Sequence, residues 1–245
     1  MTMSQDEARV EVHEDAAALS TAVAGELLSR LADRQAAGEV PHVVLTGGTI
    51  AESIHGEIAR LAPESGVDWG AVELWFGDER FVAPDSPDRN VGHARAAFID
   101  AVGVPAHRVH AMPSTADAVD VDEGAEAYET ELHERGPEAF DVLMLGVGPD
   151  GHVASLFPGF TQLDVTDRTT VGVTGSPKPP PERISLTYPR LNKSTSVWFL
   201  VSGSGKAEAV ARALGGADPH EIPASGVSGL EETIWFLDRE SASAL

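Results

Sequence analysis

The chain has 245 residues, enough for one large domain or two small ones and for a sizeable buried core. Its 39 acidic against 17 basic residues leave a net charge of −22, a field that repels phosphate backbones and anionic headgroups, so nucleic acid and membrane surfaces are not expected partners. With 42% hydrophobic residues and no cysteine, the composition fits a folded protein without disulfides, thiol nucleophiles or thiolate metal sites. Residues 1–7 are acidic and polar, unlike a secretion signal, and no apolar run approaches the roughly 20 residues of a membrane span. A cytoplasmic location is expected.

The first predicted element is a helix over 15–32, where Leu19, Val23, Leu27 and Leu31 recur every four residues. A short β-branched strand over 41–45 then stops at Thr46-Gly47-Gly48-Thr49, and helical spacing resumes with Ile50, Ile54, Ile58 and Leu61. A second strand over 72–76 runs into Gly77-Asp78-Glu79-Arg80 and a loop rich in Pro and Asp, after which Asn90 is placed to cap a helix over 91–101. Residues 116–134 are acidic and compatible with a helix. The nearly all-apolar segment 140–145 reads as a strand buried on both faces. Further strands are predicted at 170–173, 184–187, 196–201 and 233–237, with a helix over about 206–214. Alternation of this kind indicates a single α/β domain over 1–245: an open, mostly parallel sheet with helices on both faces. The proline run at 177 and 179–181 reads as a stiff loop within that domain.

Ligands of open α/β sheets bind beyond the carboxyl ends of the strands. Four predicted strands end in chemically loaded segments: Gly47-Gly48-Thr49, Gly77 to Arg80, Gly146 to His152, and Ser202 to Lys206. Paired glycines before a helix let backbone N–H groups reach an anion, though for an isolated Gly47-Gly48 a tight turn without a ligand is the more ordinary reading, and the pair alone decides nothing. Gly146 to Gly151 matches the dinucleotide pattern G-x-G-x-x-G, but Asp150 would set a carboxylate against pyrophosphate and Pro149 lacks an N–H. Gly205-Lys206 lacks the remaining Walker residues, with Leu200 and Ala207 in their places. Nucleotide binding is therefore set aside. Lysine is scarce, only 178, 193 and 206, so Lys206 directly after a strand and a glycine turn is a candidate phosphate ligand, as is Arg80. His152 at the mouth of the apolar strand is a candidate proton shuttle, with Asp150 close enough to orient it. His107 and His110 lack the spacing of a zinc pair, and no G-x-S-x-G elbow is present, so neither a metal nor a serine nucleophile is expected.

Taken together, these segments resemble the 6-phosphogluconolactonase family, in the group of sugar-phosphate isomerase-like folds that includes glucosamine-6-phosphate deaminases. The resemblance rests on Leu45 to Thr49, Trp75 to Arg80 with Asn90, Phe140 to Gly159, Pro180 to Thr187, and Gly203 with Lys206. The long stretch from Phe140 through Asp150-Gly151-His152 to Pro158-Gly159 is the most specific. Thr49-Ile50-Ala51 departs from the Ser-Thr-Pro that often follows the paired glycines in the family. The resemblance implies hydrolysis of 6-phospho-D-glucono-1,5-lactone to 6-phosphogluconate in the pentose phosphate pathway, without a cofactor or metal. His152 is then the general base, Asp150 its partner, and Gly47, Gly48, Thr49, Arg80 and Lys206 the phosphate site. Asp78, Asn90 and Arg183 are further substrate-binding candidates, and backbone N–H groups near Gly151 are a candidate oxyanion site. The expected partner is the small-molecule sugar-phosphate lactone, and the chain itself is expected to be a monomer or a weak homo-oligomer. The alternatives are a deaminase or isomerase with Asp78 as base, and a non-catalytic sugar-phosphate sensor. Ser155-Leu156-Phe157-Pro158, where the deaminases carry an Asn-Glu-Pro-like segment, favours the lactonase, and His152 favours an enzyme over a sensor.

Overall fold

The computed structural model describes residues 8–245; the acidic segment 1–7, read above as unlike a secretion signal, lies outside them. The strands are β1 (Arg9–His13), β2 (His42–Leu45), β3 (Glu73–Phe76), β4 (Asp78–Arg80), β5 (Phe140–Gly146), β6 (Thr170–Val173), β7 (Arg183–Leu186), β8 (Ser194–Val201) and β9 (Glu232–Asp238). The helices are α1 (Ala16–Ala36), α2 (Thr49–Ser65), α3 (Asn90–Ala94), α4 (Asp100–Val102), α5 (Val121–Arg135), α6 (Tyr188–Leu191) and α7 (Ala207–Leu214), with a π-helical turn at Arg95–Ile99 between α3 and α4.

Six strands form one parallel sheet in the order β1-β9-β8-β5-β2-β3. Because side chains alternate along a strand, Val43 and Leu45 pack with α1 and α2 on one face while Val44 packs with α5 on the other. Leu143 and Leu145 oppose Val142 and Met144 across β5 in the same way. Both faces are therefore core, which explains why β5 reads as a continuous apolar run. The α1 stripe Leu19, Val23, Leu27 and Leu31 is buried, and Asp15 caps the helix by accepting the Ala18 N–H at 2.8 Å. Among the described residues no helix is long and apolar enough to cross a membrane.

Three expectations require correction. The first element is the strand β1, paired with β9 at the sheet edge. Its outward Val10 and Val12 alternate with charge, so the segment carries no core signature of its own, and only pairing with a strand more than two hundred residues away makes it a strand. Secondly, β6 and β7 do not join the parallel sheet. They form a separate antiparallel sheet in the order β4-β7-β6. The chain leaves the large sheet at Gly77, whose N–H donates to Leu45 O at 3.0 Å and whose carbonyl accepts from Leu186 N at 2.9 Å. Asp78 to Arg80 is thus a strand of the small sheet. Thirdly, Asn90 is the first residue of α3 and does not cap it. The Glu79 carboxylate takes that part, accepting the Asn90 and Val91 N–H groups at 2.7 and 2.9 Å.

Candidate active site

The carboxyl ends of β2, β3, β5 and β8 meet at a cleft of ≈540 Å³, within the usual range for small-molecule sites. Gly47, Gly48 and Thr49, Asp78, Arg80, Asn90, His152, Arg183 and Lys206 all line it. Asp150 does not line it and stands behind His152.

On the β2 side, Gly48 adopts φ 100°, which L side chains rarely do, and α2 begins at the next residue with no side-chain cap. The first N–H groups of α2 have no acceptor within the helix and open toward the cleft. Gly47 is needed for a different reason: a Cβ there would overlap the Asn90 amide. That amide is fixed from both ends, since Nδ2 donates to Asp78 O at 2.9 Å and Oδ1 accepts from Arg80 Nη1. Arg80 is thereby held at the cleft next to the start of α2.

On the β5 side, the turn Gly146 to Gly151 delivers His152. The Gly148 N–H donates to His152 O at 3.0 Å and the Gly151 N–H to Gly148 O at 2.9 Å. The Gly151 N–H is thus consumed within the turn. A Cβ on Gly148 would overlap the imidazole, so the glycine gives the ring its seat. His152 Nδ1 lies 2.5 Å from Asp150 Oδ1. Burial opposes ionisation of Asp150, but the hydrogen bond with His152 and the nearby charges of the imidazole and Lys178 outweigh it and hold the pKa at about 2. An ionised carboxylate only accepts, so Nδ1 carries a proton and donates it to Asp150, which leaves Nε2 as the ring nitrogen that Asp150 does not hold.

Lys178 was not singled out from the sequence. Its Nζ lies 3.4 Å from Nδ1 and 3.5 Å from Nε2 of His152, and it lines the cleft from the proline loop. Buried Arg183 braces that loop, donating from Nη2 to Lys178 O at 3.0 Å and from Nε to Pro180 O at 3.2 Å. Burial pushes the Lys178 ammonium below its ordinary pKa, with Asp150 opposing. Lys206 is lowered by burial and by Lys178, with Asp238 opposing. Asp238, the last residue of β9, accepts the Gly203 N–H at 3.0 Å and so ties down the turn that presents Lys206. The scarcity of lysine was the available signal: two of the chain's three lysines face this cleft, while the carbonyl of the third, Lys193, receives the N–H of Phe140 where β5 begins. Among the described residues, no group of three or more His, Asp or Glu could hold a metal ion.

A parallel sheet with helices on both faces and a cationic cleft over its strand ends is the architecture of an α/β enzyme. The family model described as glucosamine-6-phosphate isomerases/6-phosphogluconolactonase matches residues 14–235, and the chain belongs to that family. It is 43% identical over 250 residues to a 6-phosphogluconolactonase of Streptomyces coelicolor, covering 98% of this chain and 95% of that protein. It is 40% identical to one from Mycobacterium tuberculosis, covering 96% and 98%. The crystal structure of 6-phosphogluconolactonase from Thermotoga maritima superimposes with a TM-score of 0.81 at 27% identity, over 94% of this chain and 99% of that one. A monomeric glucosamine-6-phosphate deaminase shares the fold, with a TM-score of 0.80 at 21% identity over 97% of this chain and 100% of the other.

Proposed function

We propose that this chain opens 6-phospho-D-glucono-1,5-lactone to 6-phosphogluconate, a step of the pentose phosphate pathway, with His152 as general base and then general acid. The observation that carries the reading is a single imidazole, oriented from behind by a carboxylate, in a cleft that gathers Arg80, Lys178, Arg183 and Lys206 around the open start of α2. The family and the full-length relatives named 6-phosphogluconolactonase support the same substrate.

The dianionic 6-phosphate would sit on the α2 N–H groups with Arg80 and Lys206, so that binding far from the reacting carbon positions the lactone carbonyl. Water attacks C1 while Nε2 of His152 removes its proton, leaving a tetrahedral oxyanion. Lys178, beside the ring, is the cation available to neutralise that charge. Collapse breaks the bond between C1 and the ring oxygen, and the imidazolium returns its proton to that oxygen as it becomes a hydroxyl. Asp150 stabilises the imidazolium between the two transfers and holds the ring in the tautomer that leaves Nε2 free. His152 returns the one proton it takes; the second proton of the attacking water stays on the new carboxyl group and passes to solvent as the acid ionises to 6-phosphogluconate.

The test is hydrolysis of freshly generated lactone measured against its spontaneous opening, with glucosamine-6-phosphate as the parallel substrate. Accelerated lactone opening without ammonia release is the expected result. Ammonia release with no effect on the lactone would replace the reading with the deaminase one.

A further inference from the structure

Ser155 follows the base by three residues, yet it does not line the cleft and is completely buried. The backbone just before it is unusual. Ala154 has φ 48°, in the left-handed region that non-glycine residues seldom enter, and Val153 bridges to both Val147 and Leu156. After this sharp turn the Ser155 hydroxyl donates to Asp78 Oδ2 at 2.6 Å, and the Ser155 N–H donates to Ser185 Oγ at 3.1 Å. Asp78 and Ser185 are register partners across β4 and β7. One residue of the His152 loop therefore grips both members of a pair in the small sheet.

Asp78 is the only carboxylate among the described residues that line the cleft. A carboxylate among four cations is unsuited to phosphate and suited to accepting a sugar hydroxyl, provided that it is held in one orientation. The Ser155 bond has the short length of a charge-assisted O–H···O⁻ contact. Arg183 Nη1, at 4.0 Å from Asp78 Oδ2, adds charge without a direct hydrogen bond.

We propose that Ser155 is a positioning residue for lactone opening, acting through Asp78: its hydroxyl fixes the carboxylate as a hydroxyl acceptor on the cleft wall, while its N–H sets the His152 loop against the strand that carries Arg183. This rests on the lactonase reading. It accounts for a buried serine that touches no substrate, and for the strained turn that aims it.

The experiment is a double-mutant cycle on the full-length protein with Ser155→Ala, Asp78→Asn and both together, reading kcat, KM and the melting temperature. Ser155→Ala should lower kcat by about 10- to 100-fold, the range for a hydrogen bond to a charged group, with KM changed by less than about threefold. The double variant should be no slower than Asp78→Asn alone. Ser155→Cys keeps the shape with a weak donor and should fall between wild type and Ser155→Ala; it takes the place of the alanine in the cycle if that variant does not fold. A kcat within about twofold of wild type, or losses that multiply in the double variant, would overturn the proposal while leaving the lactonase reading intact. A wild-type chain that does not accelerate lactone opening would instead remove the reading beneath it.

Discussion

His152 and His110 belong to opposite ends of the same sheet, and each has a carboxylate oxygen close to Nδ1, Asp150 at 2.5 Å and Glu131 at 2.7 Å. Their remaining surroundings differ. His110 Nε2 meets Glu73 at 2.9 Å, its ring stacks on Trp75 at 3.7 Å, and the residue is 2% exposed. Arg108 closes that cluster by pairing with Glu73. Both nitrogens are occupied and nothing remains to address a ligand. At His152 Nδ1 is held by Asp150, whereas Nε2 meets no carboxylate and lies 3.5 Å from the Lys178 ammonium, at a cleft whose cations outnumber its carboxylates. A third histidine, His55 on α2, marks the other extreme: it is 2% exposed with no partner on either nitrogen. A histidine beside a carboxylate is therefore not enough to make a site. What distinguishes His152 is a second nitrogen that no carboxylate holds, in a cleft rich in cations.

The largest effect should come from His152→Ala, with kcat reduced by about 10²- to 10⁴-fold, the usual weight of general acid–base catalysis, and 6-phosphogluconate affinity retained in calorimetry. Unchanged turnover would exclude His152 as the base and erase the contrast. His110→Ala should do the converse. Breaking a buried, paired cluster costs about 3–5 kcal/mol of stability in denaturant melts, while kcat per folded molecule stays at the wild-type level. Loss of turnover without loss of stability would show that the two ends are not separate.

His55 sharpens the comparison through pH. Burial depresses its pKa from 6.5 to about 4, so its neutral form favours the fold, and its contribution is complete above pH 6.5 and lost as pH falls toward 4. Across that window the wild type should lose on the order of 3 kcal/mol more than His55→Leu, as urea titrations at the two pH values would report. Gly148→Ala should keep the fold but push the imidazole from its seat, lowering kcat by about 10²-fold, as small misplacements of a catalytic group do. The smallest effect concerns salt. The −22 charge repels a dianionic substrate at long range, and the cationic cleft acts only within the Debye length of about 8 Å at physiological ionic strength. Going from low to physiological salt should therefore leave kcat/KM within about twofold or raise it slightly; a steep fall would mean that attraction extends beyond the cleft.

Much of the cleft was legible because its pieces are local. Glycines at strand ends, a lysine after one of them, and Asp-Gly-His after an apolar strand are patterns within a few residues of chain, and the parallel sheet brings all four strand ends to one rim. Lys178 was not legible, because the proline loop has no periodicity to say where it folds. Its position depends on Arg183 bonding to the loop carbonyls. Asn90 misled for a related reason. Before a helix it looks like a cap, but Glu79 had already taken the free N–H groups from a neighbouring strand.

The amino-acid sequence alone determined the alternation of strands and helices, the burial of β5 on both faces, and the glycine turns, since these follow from side-chain period and backbone freedom over short distances. Only the tertiary structure decided that β1 is a strand, that Asp78 begins a second sheet, and that Ser155 and Lys178 converge on the surroundings of His152. Those outcomes depend on hydrogen bonds and charges between residues tens to hundreds of positions apart, and no local pattern encodes such pairings.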